Sequence, residues 1–242
     1  MNNPSDLRVE LSGGESTTAR VYAAAGDPPI GATLILGHGA GAGQQSAFMV
    51  DFARALSVMG LDVVTFNFLY TERRRRIPDR APALEACYRS VVETVRREVR
   101  SAARWLFIGG KSMGGRIATQ IAAADPDLPI AGLVLLGYPL HPPGRPDQRR
   151  DKHLPLIHTP MLVVQGSRDA FGLPGDLEPV LARLTPRPVL EVIANGDHSF
   201  KLARRNPSAQ AAVYAEVQAA IAGWITEICD AASQSRSASS NR

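Results

Sequence analysis

The sequence has few cysteines and lysines, little aromatic content and no long apolar run. Cys87 and Cys229 are its two cysteines. Both fall in segments with helical spacing, which indicates buried thiols in a reducing compartment. No uncharged apolar stretch reaches the roughly 18 residues that a membrane-spanning helix needs. The polar N-terminal stretch Met1–Glu10 lacks the apolar core of a signal peptide. We therefore expect a cytoplasmic protein without a membrane span.

Arginine carries almost all of the positive charge. Of the 27 basic residues only Lys111, Lys152 and Lys201 are lysines, and the 23 acidic residues leave a net charge of +4. We interpret this abundance of arginine, with that of alanine, as genome composition. Aromatic residues are 6% of the chain and are not interleaved with the basic ones as in nucleic-acid-binding surfaces. We expect no nucleic-acid partner.

Short apolar runs typical of strands alternate with longer segments of helical spacing. Because parallel strands need crossover helices, this alternation predicts an α/β fold, a mostly parallel sheet flanked by helices on both faces. The predicted strands are Leu7–Leu11, Ala19–Ala23, Ala32–Gly37, Leu61–Leu69, Arg104–Gly109, Gly132–Gly137, Met161–Gln165 and Val189–Ile193. The predicted helices are Ser46–Met59, Ala83–Ala103, Met113–Ala124, Leu177–Leu184 and Ser208–Cys229.

No linker rich in proline, glycine or serine divides the chain. Residues 1–230 are therefore predicted to form a single domain. The final segment, 231–242, has little apolar surface to bury. We expect it to be a disordered C-terminal tail.

The segment Gly110–Gly114 matches the pattern G-x-S-x-G. A match to so short a pattern is weak by itself. Here it follows an apolar strand and opens a predicted helix, which is the strand–turn–helix setting of a nucleophile elbow. The sequence therefore predicts that the Ser112 hydroxyl projects above the end of the sheet as a nucleophile.

A serine nucleophile needs a base, and the base needs an orienting carboxylate. Asp169 and His198 each follow a predicted strand and come after Ser112 in the order acid, then histidine. Asp176 and Asp197 are rival acids, but Asp176 resembles a helix cap and Asp197 adjoins His198. The remaining histidines either precede Ser112 in the chain or lack a strand-end partner: His38, His141, His153 and His158.

The glycine-rich loop Gly37–Gly43 follows the third predicted strand. Two backbone N–H groups are needed to bind the oxyanion of an acyl-transfer reaction. We expect one from Met113 and the other from Ala40, with Gly41 as the next candidate and Gly39 beside them. The same loop fits G-x-G-x-x-A, but no acid ends the next strand to bind a ribose, so we expect no dinucleotide cofactor.

Other ligand motifs are weak or absent. A P-loop ending at Ser112 fails, because its first glycine would fall on Trp105. No His/Cys spacing resembles a metal site, so we expect neither a metal nor another cofactor.

A basic run, Arg73–Arg76, lies in the loop after the fourth predicted strand. It is either a solvated charge run or a feature that attracts an anionic substrate to the site. Tyr70 precedes this run, and His141 follows the sixth predicted strand. Both are candidate substrate-binding residues.

Together these segments resemble the serine α/β-hydrolase superfamily. They are most similar to the small hydrolases related to testis-expressed protein 30 and to subunit 3 of the NSL chromatin complex. The resemblance depends on LGHGAGAG, FNFLYTERRRRIPDR, GGKSMGGR, GYPLHPPGRP with HLPLI, QGSRDAFG and GDHSF. A more distant resemblance is to dienelactone hydrolases, which have cysteine where this chain has Ser112. The resemblance implies an α/β-hydrolase fold, and the segment before Pro160 is too short for a lid domain.

The resemblance also implies Ser112, Asp169 and His198 as nucleophile, acid and base. We expect a carboxylesterase-like Ser-His-Asp hydrolase that cleaves a small ester, thioester or related acyl compound through an acyl-Ser112 intermediate. The alternative is an interaction module with a vestigial triad. A peptidase is a third possibility, which the expected lack of a lid or propeller domain disfavours. The sequence leaves the oligomeric state open.

Overall fold

The computed structural model describes residues 3–204 and 206–240, with backbone alone for 236–240. Within this part of the chain, eight strands form one sheet in the order β1-β2-β4-β3-β5-β6-β7-β8. The strands are β1 (Ser5–Glu10), β2 (Ser16–Tyr22), β3 (Thr33–Gly37), β4 (Asp62–Phe66), β5 (Leu106–Lys111), β6 (Gly132–Leu136), β7 (Met161–Gly166) and β8 (Val189–Ile193).

The strands from β3 to β8 run parallel, whereas β2 pairs antiparallel with both β1 and β4. The register aligns Gly37 with Gly110 and Gly166 with Ile193. The loops that follow β3, β5, β7 and β8 consequently leave the same edge of the sheet, where open α/β sheets bind their ligands.

Helices cover both faces of the sheet. The helices are α1 (Ala47–Val58), α2 (Leu69–Glu72), α3 (Ala81–Glu98), α4 (Met113–Ala124), α5 (Pro174–Leu181) and α6 (Pro207–Ser240). Buried residues of α1 and α6 form one apolar core, and those of α3, α4 and α5 form the other. The fold prediction is therefore confirmed.

Several element boundaries differ from the sequence-based prediction. The fourth strand ends at Phe66, and the short helix α2 begins within the segment that was predicted as its continuation. Helix α3 ends at Glu98, because Val99 has extended backbone angles (φ −105°, ψ 112°). A 3-10 turn, Arg100–Ala103, replaces the last predicted turn.

Helix α6 extends well beyond Cys229. Residues 231–240 of the predicted disordered tail 231–242 are helical, and residues 241–242 lie outside the described residues. The hydroxyls of Ser233 and Ser235 donate to the carbonyls of Cys229 and Ala231, one turn earlier. Extending an established helix adds one backbone hydrogen bond per residue without a new nucleation cost, and Ala232 still packs against the core. The single-domain prediction for residues 1–230 stays a prediction.

The segment 137–160 between β6 and β7 contains one helical turn, the 3-10 turn Leu154–Leu156. No lid domain is inserted in this segment. In the described part of the chain, no helix combines the length and the apolarity needed to cross a bilayer.

Candidate active site

The turn between β5 and α4 holds Ser112 in a strained backbone conformation. Its φ of 50° and ψ of −111° are unusual for a residue with a side chain. The turn is tight because glycines let it approach β3. A Cβ on Gly110 or Gly114 would lie 2.2 or 2.1 Å from the carbonyl oxygen of Gly37. The motif glycines are therefore required by close backbone contact.

Three side chains from different loops form a continuous hydrogen-bonded chain. The Oγ of Ser112 lies 2.8 Å from Nε2 of His198. The Nδ1 of His198 lies 2.7 Å from Oδ2 of Asp169. The structure thus brings together the three residues that the sequence selected, while their chemical roles stay a prediction.

Asp169 is completely buried and accepts two further hydrogen bonds. The Phe171 N–H donates to its Oδ1 at 2.8 Å, and Gln165 Nε2 donates to its Oδ2 at 2.8 Å. The Gln165 side chain is itself fixed by the Gly172 carbonyl and the Tyr138 N–H. These bonds compensate for the burial of the carboxylate.

Sequence reasoning missed Gln165. The available signal was a polar residue at the end of the otherwise apolar strand MLVVQG, whose residues are all buried. A buried amide at that position must find partners, and its partners here include Asp169.

His198 is held from two sides. The ring of Phe171 stacks on its imidazole, with the ring centres 4.1 Å apart and an angle of 28° between the planes. The Nζ of Lys111 donates to the backbone carbonyl oxygen of His198 at 2.5 Å. Burial lowers the pKa of Lys111 to about 8, against the opposing influence of Asp169 and Asp197. Lys111 therefore fixes the backbone of the histidine from inside the site.

The loop after β3 runs beside Ser112. A Cβ on Gly39 would lie 3.7 Å from the Cβ of Ser112. His38 Nε2 accepts the Phe68 N–H at 3.2 Å, so its Nδ1, 2.8 Å from the Gly39 carbonyl oxygen, is the donor. Burial lowers the pKa of His38, which favours this neutral form. Because the Gly39 carbonyl is fixed, the N–H of Ala40 in the same peptide is fixed in the opposite direction.

A cavity of about 520 Å³ opens in front of Ser112 and His198. Gly39, Ala40 and Met113 line it. The other three predicted substrate-binding residues are not among the described residues that line this cavity: Gly41, Tyr70 and His141.

Each of these three residues has a different environment. Gly41 is exposed at the loop tip with a φ of 72°. Tyr70 is buried against the ring of His38, and its burial raises the pKa of its hydroxyl. His141 is buried, and its ring Nδ1 lies 2.9 Å from the Pro142 carbonyl oxygen. The backbone N–H of His141 donates to the Phe171 carbonyl. Tyr70 and His141 therefore support the loops behind the cavity wall.

The rival acids have local structural roles. The Leu173 N–H, which precedes α5, donates to Asp176, and the N–H groups of Ser199 and Lys201 donate to Asp197.

The Nε2 of His153 lies 2.8 Å from the Thr119 hydroxyl oxygen, and burial lowers the pKa of His153 to about 4. Across the described residues, no group of three His, Cys, Asp or Glu side chains could hold a metal ion.

The basic run makes contacts at the surface. Arg73 forms an ion pair with Glu15, and Arg75 forms one with Asp79 at 2.5 Å. None of the residues Arg73–Arg76 lines the cavity at Ser112. The four arginines of the run are exposed and lie outside the cavity lining.

Solved structures share this fold at low sequence identity. A lidless α/β serine hydrolase from Xanthomonas campestris is 23% identical, with 88% of this chain and 93% of that chain covered and a TM-score of 0.67. An α/β serine hydrolase homologue from Coxiella burnetii is 18% identical, with 90% and 97% covered and a TM-score of 0.70. A dienelactone hydrolase from Anabaena variabilis is 21% identical, with 90% and 96% covered and a TM-score of 0.66.

A family model adds to this likeness of fold. The model described as an alpha/beta hydrolase domain matches residues 31–226, which include β3 to β8 and all three members of the hydrogen-bonded chain. The narrower resemblance to the branch of testis-expressed protein 30 stays a prediction. With most of its length matched, this chain belongs to the alpha/beta hydrolase domain family.

Proposed function

We propose that this protein is a serine hydrolase that cleaves a small ester, thioester or related acyl substrate through an acyl-Ser112 intermediate. The observation that carries the proposal is the Ser112–His198–Asp169 hydrogen-bonded chain at the wall of the cavity. The proposal includes the small-molecule acyl substrate and the cytoplasmic location expected from the sequence.

In the first half of the reaction, Ser112 Oγ attacks the acyl carbon while His198 Nε2 removes its proton. The substrate carbonyl becomes a tetrahedral oxyanion. When this collapses, the bond to the leaving group breaks, and His198 gives the proton to the departing oxygen or sulfur. The 2.8 Å contact between Oγ and Nε2 is within the range needed for this proton transfer.

In the second half, water attacks the acyl-Ser112 carbon. His198 takes a proton from that water and returns it to Ser112 Oγ as the acid product leaves. Asp169 accepts the Nδ1–H of His198, which selects the tautomer with a free Nε2 and stabilises the imidazolium between the steps.

Two backbone donors are assigned to the oxyanion. The N–H of Met113 is in the first turn of α4, where amides have no intrahelical acceptor. The N–H of Ala40 is in the peptide whose carbonyl His38 holds. Donors fixed before reaction do not have to reorganise as the charge develops, and losing one typically costs about 10²–10³ in turnover.

Hydrolysis of 4-nitrophenyl acetate and butyrate tests this function. Ser112→Ala should lower kcat by about a thousandfold or more, because no other group supplies the acyl acceptor. Ser90→Ala, on α3 and outside the cavity lining, is the matched control and should turn over like wild type. Equal rates in wild type and Ser112→Ala would overturn the proposal and leave the interaction module with a vestigial triad.

A further inference from the structure

The wall of the cavity beside Ser112 is rich in positive charge. Lys111, Arg116 and Arg150 line it, together with one carboxylate outside the hydrogen-bonded chain, Asp79. The Asp79 carboxylate is already paired with Arg75. Lys111 donates to the neutral backbone carbonyl of His198, which holds its ammonium in place. The two arginines are the other cations of the cavity wall, and neither forms an ion pair with any of the described residues.

Arg116 lies one helical turn after Ser112. Its N–H donates to the Ser112 carbonyl at 3.0 Å, so the two residues lie on the same side of α4. Side chains at this spacing have Cβ atoms about 5–6 Å apart. The guanidinium donates to the neutral Gln120 side chain at 3.2 Å.

Arg116 is also an unfavourable residue for its position in the helix. The first turn of a helix favours negative charge, and the first turn of α4 contains no acidic residue. The side chain is half-buried, and burial and the charge of Arg150 lower its pKa, while the more weakly acting Tyr138 and Glu85 oppose this shift. An anion between the two guanidinium groups would relieve their repulsion.

Arg150 reaches the cavity from the segment between β6 and β7. Its N–H donates to the Leu140 carbonyl, and its own carbonyl accepts the hydroxyl of the buried Tyr138 at 2.7 Å. The neighbouring carboxylate, Asp151, is paired with Arg149. Within residues 3–204 and 206–235, no carboxylate lies within ion-pair distance of Arg116 or Arg150.

We propose that Arg116 and Arg150 form an anion-binding subsite beside Ser112, and that the physiological acyl substrate carries an anionic group which this subsite holds. This inference rests on the proposed function. The arginines proposed to select the substrate are thus the two in the cavity wall, and the exposed arginines of Arg73–Arg76 have no part in the subsite. A planar guanidinium binds a carboxylate or a phosphate through charge-assisted hydrogen bonds.

Matched ester pairs test the subsite. One pair places the charge in the acyl part: the 4-nitrophenyl monoester of glutaric acid against 4-nitrophenyl valerate. The other places it in the leaving group: 4-carboxyphenyl butyrate against phenyl butyrate. In at least one pair, wild-type kcat/KM should favour the anionic ester by about tenfold or more.

The variants Arg116→Gln and Arg150→Gln should each reduce that preference by about tenfold. Arg116→Lys keeps the positive charge and should therefore retain part of the preference for the anionic ester. Arg76→Gln, in the basic run, is the matched control and should keep the wild-type preference. No preference in either pair, or the same preference in wild type and the Arg116→Gln, Arg150→Gln double variant, would overturn the subsite.

A binding measurement distinguishes failure of the subsite from failure of the proposed hydrolase. Glutarate and inorganic phosphate are titrated calorimetrically into Ser112→Ala, with and without the two Arg→Gln substitutions. Saturable binding that the substitutions abolish supports the subsite even if no ester is cleaved, and the stronger of the two ligands identifies the anion. If neither glutarate nor phosphate binds to Ser112→Ala, the subsite is overturned, even if neutral esters are cleaved.

Discussion

At the scale of single residues, hydrogen bonds between buried polar groups hold the side chains of the site in place. Gln165 is completely buried, and its amide connects Asp169 with the loop carbonyl of Gly172 and the N–H of Tyr138. It is a positioning residue, because it contacts the carboxylate and not the cavity.

Gln165→Met tests this positioning role. The substitution leaves the Tyr138 N–H without its acceptor and removes one donor from Asp169. We expect the free energy of unfolding to fall by about 1–3 kcal/mol, and kcat on esters to fall about tenfold with KM little changed. Chemical denaturation and steady-state kinetics measure the two effects. A loss of stability without any loss of kcat would show that Gln165 supports the fold alone.

Lys111 predicts a pH dependence of stability. Burial sets its pKa in the folded protein to about 8, below the ordinary value of 10.5. Between these values the unfolded chain binds more protons, so the free energy of unfolding should rise with pH. The wild type should gain up to about 3 kcal/mol relative to Lys111→Met over this range. Parallel curves of unfolding free energy against pH for the two proteins would contradict the assignment.

At the scale of elements, the turn from β5 to α4 is built against β3. Gly114 packs on the Gly37 backbone, so a side chain there would push α4 away from the sheet. Because Met113 and Ser112 begin this helix, any such movement also displaces the nucleophile and one proposed oxyanion donor.

Gly114→Ala should therefore lose both stability and activity. Its Cβ would lie 2.1 Å from the Gly37 carbonyl oxygen, and we expect the free energy of unfolding to fall by about 3 kcal/mol or more. Gly223→Ala, on the exposed side of α6 with nothing within 4 Å of its Cβ, should instead gain about 0.5–1 kcal/mol. Thermal unfolding measures both, and a neutral Gly114→Ala would contradict the close packing.

At the scale of the whole molecule, strand and helix periodicity predicted the architecture because the central strands are mostly apolar and buried. The run TLILG of β3 and the run GLVLL of β6 are both entirely buried. Strand-end positions likewise indicated Ser112, Asp169 and His198, since parallel strands end at one edge. The motif GGKSMGGR, with the apolar strand before it and the predicted helix after it, predicted the tight turn at Ser112.

Features set by tertiary contacts were not predictable in this way. Tyr70 and His141 have the polarity of site residues, but the depth at which they pack depends on His38 and the Phe171 loop. Arg116 and Arg150 are separated in sequence and line the same cavity only because of the fold. The extension of α6 into 231–240 is a different case, because it continues an established helix, which the low apolarity of the segment does not reveal.

If His198 and Asp169 activate Ser112, this serine should react with an electrophilic probe and lose that reactivity without its base. Wild type, Ser112→Ala and His198→Ala are treated with a fluorophosphonate probe, and the modified residue is located by mass spectrometry. We expect phosphonylation of wild type at Ser112 and no labelling of either variant. A folded wild type that remains unlabelled, or one that is labelled at a different residue, would contradict this expectation.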